Sequence, residues 1–177
     1  MCGIVGFVNL KQNLNKEKYK HVLSNMANSI AKRGPDEDGY YIKEHVCLAH
    51  KRLIVVDPEG GKQPMNCKLF DNTYTIIYNG QLYNIKELKK ELKENGFSFE
   101  THSDTEVLLK SYIHWGYNVI HKLNGIFAFA IWDEKKQELF VARDHFGVKP
   151  FYYTILEDNF IFSSEIKSIL EFPRNWI

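Results

Sequence analysis

The stretch Ile126-Phe127-Ala128-Phe129-Ala130-Ile131-Trp132, then Asp133-Glu134-Lys135-Lys136-Gln137, then Leu139-Phe140-Val141-Ala142-Arg143 decides the fold class. Two apolar runs on either side of a short polar segment read as the arms of an antiparallel hairpin. Phe151 to Ile155 and Phe160 to Ser163 flank Leu156-Glu157-Asp158-Asn159 in the same way, so the second half of the chain is mostly antiparallel. Upstream, Thr73 to Tyr78 reads as a strand that Asn79-Gly80 ends. Two helix starts follow it, Asn84 with Glu87 and Ser103 with Glu106, the second matching the reciprocal capping pattern. Further out, Tyr19, Val22, Leu23, Met26 and Ile30 recur at helical spacing, and Arg33-Gly34-Pro35 terminates that stripe. Cys2 to Asn9 is a first strand, and shorter ones are expected at Gly39 to Ile42, Val46 to His50 and Arg52 to Asp57, before the turn-rich Pro58-Glu59-Gly60-Gly61. Met65-Asn66-Cys67-Lys68 reads as loop. Strands joined by hairpin-length connections, with helices in blocks, imply α+β layers instead of an alternating parallel fold. With no repeat, low-complexity tract or linker, residues 1–177 are expected to form a single domain.

A length of 177 residues suffices to bury a core without staples, and 44% hydrophobic with 25% charged residues is ordinary for a globular domain. The net charge of +1 supplies no field for nucleic acid or an anionic membrane, so the expected partner is small. No apolar run approaches the ~20 residues of a membrane span, and the N-terminus lacks the basic and apolar regions of a signal peptide. A cytoplasmic protein is expected.

The 3 cysteines do not read as a disulfide framework and are expected to be reduced. Cys47 and His50 would sit three apart on one strand and point to opposite faces, so no metal site is expected there. Cys67 is read as an incidental thiol. Cys2 differs, because removal of Met1 would place a thiol and a free amine on one residue. A thiol ordinarily titrates near pH 8.5 and an α-amine near about 7.7 to 8.0, so the amine can accept the thiol proton without help from a histidine. With Met1 retained, that nitrogen is an amide and cannot serve as base.

Six motifs extend this reading: Cys2-Gly3-Ile4-Val5-Gly6, Arg33-Gly34-Pro35-Asp36, His50-Lys51-Arg52-Leu53-Ile54-Val55-Val56-Asp57, Tyr78-Asn79-Gly80-Gln81-Leu82-Tyr83-Asn84, Ser103-Asp104-Thr105-Glu106, and Arg143-Asp144-His145-Phe146-Gly147-Val148-Lys149-Pro150. In this order they resemble the glutaminase domain of class II glutamine amidotransferases over essentially the whole chain. The Arg33 to Asp36 segment and Phe162-Ser163-Ser164-Glu165-Ile166-Lys167 are most similar to glutamine-hydrolysing asparagine synthetases. The resemblance implies an N-terminal-nucleophile hydrolase fold, a four-layer sandwich of two antiparallel sheets between helical layers. It implies that Cys2 attacks the glutamine side-chain amide to form a thioester, with Asn79 and Gly80 as oxyanion donors. It further implies that Arg52 binds the substrate carboxylate, that Leu53, Ile54, Val55 and Val56 supply backbone, and that Asn79, Gly80, Gln81 and Asp104 complete the substrate site. No cofactor and no metal is implied in this domain. The implied partner is an ammonia-accepting, ATP-dependent synthetase domain or subunit, whose phosphate-cradling loop this chain lacks.

One position departs from the pattern. Where relatives usually have Asn-Gly-Glu, this chain has Asn79-Gly80-Gln81, which exchanges a carboxylate near the substrate ammonium for a neutral amide. That exchange keeps open a second reading, a non-catalytic glutamine-binding or regulatory module of the same family. The phosphosugar and phosphoribosyl branch is disfavoured by the Arg33 to Asp36 and His145 to Pro150 signatures, and an unrelated small-molecule binder by all six motifs together.

Overall fold

The computed structural model describes residues 1–55, 57–69 and 71–173. Among these, nine strands and four α-helices follow in the order β1 Gly3–Val8, α1 Glu17–Ser29, β2 Glu37–Ile42, β3 Val46–Arg52, β4 Met65–Leu69, β5 Asn72–Leu82, α2 Ile85–Glu94, α3 Asp104–Trp115, β6 Gly125–Asp133, β7 Glu138–Arg143, β8 Tyr152–Leu156, β9 Asn159–Ser163 and α4 Ile166–Leu170. They build one sheet in the order β2-β3-β1-β9-β8 and a second in the order β4-β5-β6-β7. Every strand pair is antiparallel, and both expected hairpins, β6 with β7 and β8 with β9, are present.

Period-two alternation sorts the strand side chains into three buried layers. Val5 and Phe7 of β1, with Cys47 and Ala49 of β3, face the α1 stripe of Tyr19, Val22, Leu23, Met26 and Ala27. Their alternates Ile4, Val8, Val46 and Leu48 face the other way and meet Ile77 of β5 and Ala128, Ala130 and Trp132 of β6. On the far side of the second sheet, Ile76, Tyr78, Phe127, Phe129 and Ile131 pack against Leu88 and Leu92 of α2 and Val107, Leu108 and Tyr112 of α3. The result is helices, sheet, sheet, helices, the four-layer sandwich that the resemblance implies.

Four local expectations are corrected. The strand expected at Arg52 to Asp57 is absent among its described residues: β3 ends at Arg52, because the Ile54 N–H is taken by Asp36 Oδ2 at 2.8 Å and Asp57 turns the chain at φ 48°. Asn79-Gly80 does not end β5, which continues to Leu82 opposite Gly125 of β6. Met65–Leu69 is the edge strand β4, half-buried at alternate positions, whose pairing with β5 comes from tertiary context. Finally, the helix starts are right but the caps differ. The Asn84 side chain bonds Lys122 O and Asn124 N across the α2 entry. Ser103 Oγ does accept from Thr105 N, while Glu106 turns to Glu100 N, Thr101 N and Lys110 instead of reaching back.

The layer between the sheets holds the two halves of the sandwich together. Ile77→Ala opens a cavity there and is expected to cost about 2–5 kcal/mol, read as a lower urea midpoint at unchanged m-value.

Candidate active site

The inward-facing positions that are apolar in mid-sandwich turn polar at one end. Along β1 the sequence runs back from Ile4 to Cys2, along β3 from Leu48 to His50 and Arg52, and along β5 from Ile77 to Asn79 and Gln81. Alternation therefore aims all five polar side chains toward the space between the sheets. Four of them, Cys2, Arg52, Asn79 and Gln81, line a cavity of about 230 Å³ whose wall also includes Leu53, Val55, Gly80 and Asp104, while His50 is not part of that wall. Of the residues expected at the site, Ile54 is not in that wall, its N–H being spent on Asp36, and Val56 lies outside the described residues.

The Cys2 thiol is held by the loop after β3: Leu53 N–H points at Sγ at 3.4 Å, and Sγ lies 3.6 Å from Leu53 O. That loop is set by the Arg33 to Asp36 motif. Asp36 holds Ile54 N–H, and a Cβ on Gly34 would run into the backbone of Lys51 and Arg52, so only glycine allows the close approach. From the same motif, Arg33 Nε donates to the Cys2 carbonyl at 2.9 Å, while its Nη1 pairs with Glu165 Oε1 at 3.2 Å. The other two thiols lie outside that wall, Cys47 buried and Cys67 half-buried. Burial pushes the Cys47 thiol up to about 12, and burial likewise raises that of Cys67.

On the opposite wall, Asn79 is buried and its Nδ2 has no hydrogen-bond partner. An uncompensated donor in such a position is costly unless something else fills it. Gly80 stands opposite Phe127, whose N–H and C=O both go to Asp144, at 3.3 and 2.8 Å. Gly80 and Phe127 are therefore a non-hydrogen-bonded pair, and the Gly80 N–H is directed away from β6. A Cβ there would meet Ile126 O at 2.5 Å, which explains the glycine.

Beyond the end of β4, side chains replace the missing strand. Gln63 Oε1 accepts from Tyr78 N at 2.6 Å, and His50 Nε2 lies 3.1 Å from Tyr78 O. The carbonyl can only accept, which puts the imidazole proton on Nε2. Tyr78 Oη donates to Asp104 Oδ2 at 2.8 Å, and Leu82 N–H reaches the same oxygen at 3.2 Å. Burial raises the Asp104 carboxyl above its ordinary value against those bonds. Arg52 lines the cavity while Nη1 is engaged by Glu37 Oε2 at 2.6 Å and Pro58 O at 2.8 Å, and Nη2 by Asp57 O at 2.6 Å. Gln81 is exposed at the rim.

Several wall residues were not anticipated: Gln63, Tyr78, Ser103, Thr105 and Lys149. Lys149 belongs to a motif without an assigned role. Its loop is braced by Asp144, which accepts from the N–H groups of Phe146, Val148 and Lys149, and by Arg143 donating to Gly147 O and Lys149 O. Met1 sits at the cavity mouth, 59% exposed, with Lys149 Nζ 3.6 Å from its sulfur. Among the described residues, no group of three or more His, Cys, Asp or Glu side chains is placed to share a metal ion, and no helix is long and apolar enough to cross a membrane.

A profile described as a glutamine amidotransferase domain matches residues 1–175. The chain is 54% identical over 173 residues to asparagine synthetase [glutamine-hydrolyzing] 3 of Bacillus subtilis (strain 168), a match covering 98% of this chain and 28% of that protein. It is 44% identical to asparagine synthetase [glutamine-hydrolyzing] 1 of the same organism, over 96% of this chain and 27% of that one. The chain thus spans little more than a quarter of the length of these relatives. In structure it is similar, at TM-score 0.77 and 21% identity, to the glutamine phosphoribosylpyrophosphate amidotransferase from B. subtilis, a match covering 95% of this chain and 43% of that one. At that identity the likeness speaks for the fold alone.

Burial lowers the His50 imidazole to about 4, so it is neutral at pH 7. Unfolded chains take up that proton near pH 6.5. Between those values the unfolded state binds more protons, so stability rises with pH there and is lost as pH drops from about 6.5 to about 4, by on the order of 3 kcal/mol. In urea unfolding at pH 7, 6, 5 and 4.5, a His50→Gln variant is expected to lose this part of the slope.

Proposed function

Because this chain belongs to the glutamine amidotransferase domain family, we propose that it hydrolyses the side-chain amide of glutamine to glutamate and ammonia through a thioester on Cys2. The observation that carries this reading is the buried, unpartnered Asn79 Nδ2 on the wall of the cavity that holds the Cys2 thiol. Such a donor suits an oxyanion that forms only when the amide carbon is attacked.

With Met1 removed, the Cys2 α-amine takes the thiol proton and the sulfur attacks the amide carbon. The oxyanion that develops is met by Asn79 Nδ2 and the Gly80 N–H. The amine returns its proton to the departing nitrogen, the C–N bond breaks, and ammonia leaves a γ-glutamyl thioester. Water, deprotonated by the same amine, then adds to the thioester, and glutamate and the thiol are released. The reaction balances with glutamine and water alone, so it calls for no cofactor in this domain. The Arg52 guanidinium would share its fork between Glu37 and the substrate carboxylate, and Asp104 would face the substrate ammonium. The exposure of Met1 fits its removal.

The ammonia acceptor proposed is an ATP-dependent synthetase domain or subunit of the kind the asparagine synthetase relatives carry. The three thiols are free, as a reducing compartment leaves them, and we place the reaction in the cytoplasm. The second reading, a glutamine-binding module without turnover, draws on Gln81 alone.

In protein shown by intact mass to lack Met1, glutamate release is expected to vanish in Cys2→Ala. Asn79→Ala is expected to lower kcat by about 10²–10³ while leaving KM little changed. Tight glutamine binding without any release by the processed protein would select the module. Gln81→Glu is expected to lower the KM for glutamine by about two- to fivefold, the worth of a partly exposed ion pair; an unchanged or higher KM would refute that role for position 81.

A further inference from the structure

Behind Cys2, on the side away from the cavity, is a pair of charges that the reaction above does not use. Ile4 bonds Ser164 through both of its backbone groups, its N–H to Ser164 Oγ at 3.0 Å and its C=O from Ser164 N at 2.9 Å. Ile4 is thus a non-hydrogen-bonded residue toward β3, and the backbone groups of Cys2, two positions earlier, are directed to the same β9 side. The strand β9 has ended there at Ser163. Arg33 occupies the place of a continuing strand, its Nε 2.9 Å from Cys2 O. Where a strand residue would follow, the chain turns, and Glu165 puts its carboxylate on the Arg33 guanidinium at 3.2 Å.

Glu165 is firmly seated. It is the N-cap residue of α4, Ser168 N–H bonds its carbonyl at 3.1 Å, and Ser168 Oγ ties α4 to Met26 O of α1 at 2.8 Å. Its other oxygen pairs with the outer Lys167 at 2.8 Å. The Arg33 side chain is only 12% exposed and its Nη2 is buried without a partner, so the guanidinium is poorly screened by solvent. It stands next to the carbonyl of the residue whose own nitrogen is to be the base.

We infer that Glu165 is a positioning residue for the nucleophile: through Arg33 it fixes the Cys2 backbone, and its charge offsets the cation that would otherwise stand uncompensated beside the Cys2 amine. This rests on the hydrolase reading and deepens it. The other charged groups around Cys2 are Arg52, Asp104 and Lys149 in the cavity wall, none of them bonded to Arg33. Without the Glu165 charge, Arg33 disfavours the ammonium form and favours the thiolate. Both effects move the working protonation state to lower pH, and the loosened Cys2 carbonyl lowers the rate.

The test uses Met1-free protein as wild type, Glu165→Gln, Glu165→Asp and Cys2→Ala, with each fold checked by thermal unfolding. Glutamate release is measured from pH 5.5 to 9.5, and Cys2 alkylation by iodoacetamide is followed by mass over the same range. Glu165→Gln is expected to lower kcat by about tenfold with the KM for glutamine within about twofold. Its acid limb should move down by about half a pH unit, a screened part of the one to three units that a close charge produces. Glu165→Asp, which keeps the charge, should return the limb to its wild-type position. An unmoved acid limb in Glu165→Gln overturns the inference whatever the loss in kcat, since a merely structural residue costs rate without displacing it. If wild type releases no more glutamate than Cys2→Ala, the hydrolase reading fails. The alkylation midpoint then decides on Glu165, a downward shift supporting its role and an unshifted midpoint overturning it.

Discussion

The site depends on the face-to-face packing of the two antiparallel sheets. Ile4, Leu48 and Phe162 from one sheet meet Ile77, Ala128 and Trp132 from the other. Because side chains alternate along every strand, that contact also determines which way the next inward positions point. A slip of one residue in β1 or β5 would send Cys2 or Asn79 outward and bury Val5 or Ile76 on the wrong face. The apolar layer and the polar cavity are therefore one device, continuous along the same strands.

A second constraint arises where strands stop. Backbone groups that lose their ladder partner at a buried end must be met by something else. At the cavity this falls to side chains: Arg33 for the Cys2 carbonyl, Gln63 and His50 for Tyr78, Asp36 for Ile54, and Asp144 for Phe127 and the loop to Lys149. Apart from the bonds of Asp144 to its own loop, each tie joins segments that are not neighbours in sequence. The motifs are thus dense in residues that touch no substrate in the proposed reaction and still decide where the reacting atoms stand.

Gly34 and Gly80 belong to the same logic. Neither has a positive φ that would demand glycine; both are places where backbone approaches backbone too closely for a Cβ. In Asn79-Gly80 this reverses the local signal. The dipeptide reads as a turn in isolation, but the β6 ladder carries the strand through it to Leu82. Met65–Leu69 shows the opposite failure: with few strand formers it looks like loop, and it is a strand because the exposed edge of β5 is there to pair with it.

The sequence by itself determined the antiparallel second half, the helix starts and the α1 stripe. These rest on period, capping residues and turn lengths, all of which act within a few residues. It also determined the family, through six motifs, and with it the expectation of a nucleophile at Cys2 and donors at Asn79 and Gly80. Only the tertiary structure decided that those groups line one cavity, that the Asn79 amide is left without a partner, that Arg52 is already engaged by Glu37, and that Glu165 stands behind Cys2. The physical reason is that these are relations between residues tens to more than a hundred positions apart. They are set by which strands pair and which faces pack, and no local preference encodes them.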